Sequence, residues 1–456
     1  RSVFNVEAGD RYWLENVKEK LGEPGEFYVD PEQRAVYFIP PSEDPIQRNE
    51  LPIPAWRIIV PSLMQVMRLE GDPANGKFVH DVIFQGITFA HSEWGFERLA
   101  ASKEPITGYH QAAIGVPGAI WGEGVRSCTF DHCTIADVGS YGIELARGCQ
   151  HNRITHCDIR HTGAGGIKIG ETMVRASEED QTSHNEISDC TIADGGNLFP
   201  SCVAVWIGQS HDNTIAHNDI HGFWYTAISM GWTWGYGKSA AQRNMVEYNH
   251  IHHIGIRSDD DQPILSDMGG IYTLGNQEGG MIRFNKFHDI AAIKYGGWGI
   301  YFDEGTTHLT AEKNLVYRTT HGGFHQHYGK ENIVRNNIFA FGRDAQIQRT
   351  RVEEHTSFTF ERNIVDWDHG NLFAGNWSKE KAVFDYNTYW NGGAAPIRFG
   401  KKSWEQWRAA GMDEHSKIAD PKFADPVHGH FTLTNPDALP EGFQNFDLSG
   451  IGPRQG

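Results

Sequence analysis

Residues Ala216–Gly222 read AHNDIHG, and heptads of this kind return along most of the chain. The same frame gives DHCTIAD at Asp131–Asp137, THCDIRH at Thr155–His161, SDCTIAD at Ser188–Asp194 and EYNHIHH at Glu247–His253. It continues as RFNKFHD at Arg283–Asp289, EKNLVYR at Glu312–Arg318, RNNIFAF at Arg335–Phe341, ERNIVDW at Glu361–Trp367 and DYNTYWN at Asp385–Asn391. The third position is Cys133, Cys157, Cys190, Asn218, Asn249, Asn285, Asn314, Asn337, Asn363 and Asn387, at separations of 23 to 36 residues. One short apolar strand follows each, and a variable period of this size signals a solenoid whose coils carry loops of different length. In a parallel β-helix equivalent residues pile up about 4.8 Å apart. An Asn at a bend then bonds to the Asn above and below it. Cys133, Cys157 and Cys190 fit the same inward position, so we read them as ladder thiols and not as disulfides or metal ligands.

A second strand recurs after each ladder position: YGIEL, GGIKIG, VAVWIG, TAISMG, GGIYTLG, WGIYFDEG and GGFHQHYG. These align Ile143, Ile167, Val205, Ile228, Ile271, Ile300 and Phe324. If those point inward, alternation sends Glu144, Lys168, Trp206, Ser229, Tyr272, Tyr301 and His325 outward. That column is too polar for a core and too aromatic for an ordinary wet face, so it reads as an exposed binding surface. A helical reading fails, because the apolar period is two and Gly interrupts every strand.

The ends lack the ladder. GEFYVDPEQRAVYFIPP reads as a hairpin around DPEQ, within a small sheet over residues 1–55. The β-helix is expected over residues 56–390. Residues 391–456 are expected to cap its open end, with a short helix at SWEQWRAAG where Ser403 and Gln406 have capping-box spacing. The opening RSVFNVEAGDRYW carries no signal pattern and reads as mid-protein, so we expect a mature or trimmed form.

The 40 Lys and Arg against 58 Asp and Glu give a net charge of −18. That argues against nucleic acid, whose binders carry a basic footprint. No apolar run approaches the roughly 20 residues of a membrane span. The run Ser258–Asp261, SDDD, offers oxygens to Ca²⁺ but reads first as a solvated loop, so no cofactor or metal is expected.

Chemistry is expected near Asp303. Alternation from Ile300 places Tyr301 and Asp303 outward, and His327 holds the equivalent place one coil later. A carboxylate beside a His, framed by Tyr272, Tyr301 and His325, reads as an acid–base cluster. Asp267, just before Gly269–Gly270, is the second candidate; Glu304 and Glu278 are reserves. Trp206 stands in the outward column, and Trp232 and Trp234 lie in a Gly-rich turn, where aromatic rings can stack on sugar faces.

SDMGGIYTLG, GGWGIYFDEGTTHLTAEKNLVYRTTHGGFHQHYG, RNNIFAF and HSKIADPKFADP together resemble bacterial carbohydrate-active β-helix proteins, and glycoside hydrolase family 141 in particular. The resemblance implies a right-handed parallel β-helix and an α-L-fucosidase or xylan-cleaving activity on plant cell-wall glycans. It further implies two catalytic aspartates, matched here by Asp267 and Asp303, and a secreted or periplasmic bacterial location. On straight strands the two would stand seven positions, roughly 23 Å, apart, whereas catalytic carboxyl pairs need about 5–9.5 Å. Either the glycine pair bends the chain back, or the partner of Asp303 is another acid, with Glu304 and Glu278 in reserve. Two rival readings share the scaffold: a polysaccharide lyase or epimerase, and a glycan-binding solenoid without activity.

Overall fold

A computed structural model describes residues 14, 16–30, 32–40, 58–94, 111–393 and 395–455. The chain divides into two compact units, Arg1–Pro61 and Ser62–Gly456. In the first, strands Phe27–Asp30 and Ala35–Phe38 pair antiparallel, with Phe27 opposite Phe38. Asp30 Oδ1 accepts the N–H groups of Glu32 and Gln33 and closes the turn. The opening residues 1–13 and the expected boundary at residues 55–56 lie outside the described residues.

The second unit is a parallel β-helix. Its coils build one sheet of 12 strands and two of 11, with each strand hydrogen-bonded to its equivalents on the neighbouring coils. Coiling already begins at Met67–Glu70, ahead of the first ladder thiol.

The Asn column forms as the heptads require. Asn218, Asn249, Asn285, Asn314 and Asn337 each donate from Nδ2 to Oδ1 of the next at 2.9 to 3.0 Å. The same oxygens accept the backbone N–H of the preceding Asn, so one carbonyl closes two bonds. Cys133, Cys157 and Cys190 occupy the upper coils, buried and unpaired by disulfides. The residue before each ladder position adopts a left-handed conformation, φ 51° to 56°, from His132 to Tyr386. This turns the chain so that the next side chain points inward. The strain costs about 1–2 kcal/mol per residue, and the ladder offsets it. A second ladder, Asn152–Asn185–Asn213–Asn244, runs beside the first at 2.8 to 3.2 Å. Its separations of 33, 28 and 31 residues repeat those of Cys157, Cys190, Asn218 and Asn249.

Helix Trp404–Ala409 carries the expected capping box, with Ser403 and Gln406 bonded reciprocally. Trp407 packs on Phe373 and Phe384 at the end of the coil stack. Asp413 terminates the ladder, accepting from Asn387 Nδ2 at 3.0 Å and Trp407 Nε1 at 2.7 Å. Residues 391–456 do more than cap. Beyond Ile418 the chain runs back along the outside of the 12-stranded sheet, where Phe423, Phe431 and Phe443 cover Leu315, Ile338 and Ile364. Those outward apolar side chains would otherwise face water. Among the described residues, no helix is long and apolar enough to cross a membrane.

Candidate active site

The site lies on the outer face of the sheet that contains Gly269–Thr273, Trp298–Phe302 and Gly322–Gln326. Its register pairs Glu144, Lys168, Trp206, Ser229, Tyr272, Tyr301 and His325 in one continuous column. The column is not an open surface, as alternation alone suggested. Trp206, Tyr272, Tyr301 and His325 are each at most 3% exposed. The rings cover one another: Tyr272 meets Tyr301 edge-on at 5.0 Å, and Tyr301 stacks on His325 at 4.6 Å.

The glycine pair decides which side chains join this face. An added Cβ at Gly270 would lie 2.7 Å from Ile290 and Phe287, and one at Gly299 would lie 2.1 Å from Val316. Both positions therefore point inward, next to the inward Ile271 and Ile300. Two consecutive inward residues reverse the alternation upstream. Strict alternation would turn Asp267 and Trp298 into the core; reversal brings both outside. Met268 takes the core position instead. Asp267 itself is left-handed, φ 57°, and its backbone is tied to Tyr295 O and to the Tyr225 hydroxyl.

Asp267 and Asp303 meet through tyrosines. The Tyr301 hydroxyl donates to Asp267 Oδ1 at 3.1 Å and stands near enough to Asp303 to favour its charged form. The Tyr272 hydroxyl donates to Asp303, and the Tyr295 hydroxyl stands beside Asp267. The order is Tyr295–Asp267–Tyr301–Asp303–Tyr272. Both aspartates line one cavity, and the charge of Asp267 acts on Asp303. Straight strands would hold them roughly 23 Å apart; the parity reversal brings Asp267 to the outer face and its left-handed turn bends the chain there.

Burial pushes the Asp303 carboxyl up to about 7; the tyrosine hydroxyls work against this, while the charges of Asp267 and Glu304 add to it. Asp267 is also raised by burial, against the pull of Tyr301 and Tyr295. Both tyrosines beside Asp303 are held protonated by burial and by its charge, so they remain donors. Glu304 accepts from the Tyr328 hydroxyl at 2.8 Å and lines the same cavity. Glu278 is exposed and is not among the residues lining that cavity.

Asp267, Asp303 and Glu304 open into a cavity of about 310 Å³. Trp234 and His327 stand on its lining, whereas Trp232 lies between Trp234 and the buried Trp206 and does not reach it. His325 and His327 share the Thr350 hydroxyl, at 3.1 and 2.7 Å. Burial holds His325 neutral. Burial also lowers His327, against the charges of Glu304 and Asp267. His327 and Asp303 line the same cavity, and the hydrogen bond of the His327 ring goes to Thr350. Lys168, the cation of the column between Glu144 and His325, bonds to Glu144 at 3.1 Å and to two backbone carbonyls. Among the described residues, no Lys or Arg lines the cavity.

Sequence reading missed Gln111, Tyr295, Trp298, Gln348 and Thr350, all of which line the cavity. Gln348 was findable, as the next residue of the outward column after His325. Trp298, which donates to Gln348 Oε1 at 3.0 Å, was hidden by the reversal of alternation. In the Ser258–Asp261 run, Asp261 caps its own turn through the N–H groups of Arg257 and Ser258, and Asp259 reaches His253.

Residues 118–258 match the family described as right handed beta helix region. No curated relative matches the chain. A glycoside hydrolase of known structure is 22% identical, with a TM-score of 0.59, over 71% of this chain and 57% of its own. The GH136 lacto-N-biosidase from Eubacterium ramulus is 12% identical, with a TM-score of 0.36, over 78% of this chain and 60% of its own. A mannuronic acid specific polysaccharide family 6 lyase from human gut microbiota is 13% identical, with a TM-score of 0.39, over 74% and 80%. The chain spans little more than half the length of the glycoside hydrolase it matches. Its fold is all-β, a right-handed parallel β-helix.

Proposed function

We propose that the protein acts on carbohydrate and that the cavity hydrolyses a glycosidic bond of a neutral glycan. One observation carries this reading: a buried aspartate, Asp303, and a half-buried one, Asp267, each hydrogen-bonded by a tyrosine hydroxyl, open into one cavity lined by no Lys or Arg among the described residues. Asp303, raised to about 7, is the general acid. It gives its proton to the glycosidic oxygen as the bond to the anomeric carbon breaks. Asp267, on the other side of the Tyr301 hydroxyl, serves as nucleophile or as base toward water. Trp234 offers a ring face to the sugar, and His327 and Glu304 offer polar contacts.

Lyase or epimerase chemistry needs positive charge beside a uronate carboxyl, and the acidic lining supplies the opposite sign. The small cavity suits one or two sugar units, near the lower end of ligand-pocket volumes. An α-L-fucosyl or xylan linkage of plant cell walls, and a secreted location, follow from the family resemblance. The test is product release from a panel of aryl glycosides and plant oligosaccharides, with Asp303→Asn and Asp267→Asn as controls. Turnover lost by at least about 10³-fold in both variants supports the assignment. Undiminished turnover in Asp303→Asn ends it. Products that absorb in the ultraviolet would point to a lyase, and binding without any product to a recognition solenoid.

A further inference from the structure

On a different sheet of the helix, strands Asp219–Phe223 and His250–Ile254 run side by side, with Asp219 opposite His250 and His221 opposite His252. Alternation puts all four side chains on one outer face. Each ring is also tied to a further partner. Asp289, gripped by the Arg318 guanidinium, accepts from His288 Nδ1 at 2.5 Å. The neutral His288 ring can then accept at Nε2 from His250 Nε2, 2.8 Å away, which frees His250 Nδ1, 3.3 Å from Asp219 Oδ1. His253 Nε2 lies 3.2 Å from Asp259, and His252 Nδ1 lies 2.7 Å from His253 Nδ1. With His252 protonated on that side, its Nε2, 3.2 Å from the same Asp219 oxygen, is free to ligate.

Two imidazole nitrogens thus converge on one carboxylate oxygen, a set of lone pairs that a single cation can satisfy in place of protons. The separations of 3.2 and 3.3 Å match the ligand–ligand edge, about 3.3 Å, of a tetrahedral ion with bonds of about 2.0–2.1 Å. His221 is the available fourth ligand: its Nε2 lies 4.0 Å from Asp219, its ring stacks on His252, and the nitrogens and oxygen of Asp219, His221 and His252 all lie within 4.8 Å of one another. His250 and His252 each donate their other nitrogen to a partner that is itself anchored by a carboxylate, the outer arrangement expected around a metal-bound imidazole. The candidate ligands are partly exposed, so an ion can enter. We propose that Asp219, His221, His250 and His252 bind one divalent transition-metal ion of the zinc class, away from the catalytic cavity.

The test uses the full chain, stripped with chelator and titrated with Zn²⁺ against a chromogenic competitor. One equivalent is expected to remain bound through gel filtration, and Co²⁺ in its place should give the intense visible bands of a tetrahedral site. The His250→Gln/His252→Gln double variant should lose at least about tenfold in affinity while glycosidase activity stays unchanged. The milder Asp219→Asn serves if the double variant fails to fold. Absence of stoichiometric zinc in the wild type, weak octahedral cobalt bands, or equal retention by the variants would overturn the proposal.

Discussion

Replacing Asp303 by Asn should separate the cost of the site from its chemistry. In the unfolded chain the carboxyl titrates near the ordinary 3.8; in the folded protein burial raises it to about 7. The folded state therefore holds the proton longer, and stability falls as pH rises from about 4 through about 7, then levels off. At about 1.36 kcal/mol per pH unit, that interval is worth about 4 kcal/mol. The charge of Asp267 acts on Asp303, so the two titrations are linked and a measured value of about 2–4 kcal/mol is expected. Asn keeps the acceptor for Tyr272 without the charge. Asp303→Asn should accordingly be inactive yet more stable than the wild type at pH 8, with the advantage shrinking toward pH 4. Urea unfolding of both proteins at pH 4, 5.5, 7 and 8 measures this. A difference that stays flat with pH, or grows as pH falls, would refute the burial argument.

Three further outcomes are expected. Tyr272→Phe removes a hydroxyl that favours the Asp303 anion, so the alkaline limb of the pH–rate profile should move upward by about one pH unit, the scale of one hydrogen bond to a charged group. Trp234→Ala should raise KM about three- to tenfold while kcat changes by less than about twofold, because the ring contributes stacking outside the reacting centre. Asn285→Ala removes donors to Asn314, Val246 and Arg283 and the acceptor for Asn249. It should destabilise the helix by about 3 kcal/mol in urea unfolding, since it leaves buried polar groups unpaired.

The heptads specified the coils because a ladder position needs a small inward amide or thiol once per turn, and that requirement is written in residue type. They also specified the register, since Ile143 through Phe324 are apolar at one fixed place in each second strand, and a one-residue slip would expose them. The left-handed residues before each ladder position left no trace, because His, Asp, Tyr, Phe, Lys, Asn and Arg all occupy them. There the backbone is set by the inward amide or thiol of the adjoining ladder residue and by stacking on the neighbouring coil.

The candidate site was legible only in part. Asp303, Tyr272, Tyr301 and His325 could be placed outward by counting from an apolar anchor. Asp267 and Trp298 could not, because Gly270 and Gly299 break the alternation by pressing their backbones against core side chains of other strands. Sequence by itself determined a stacked parallel β-solenoid and one column of its outer face, since those depend on repeats of residue type along the chain. Only the tertiary structure decided that this column is covered, that two aspartates line one cavity, and that His250 and His252 converge on Asp219. Each of these depends on side-chain lengths and bends from separate coils, which no local pattern records.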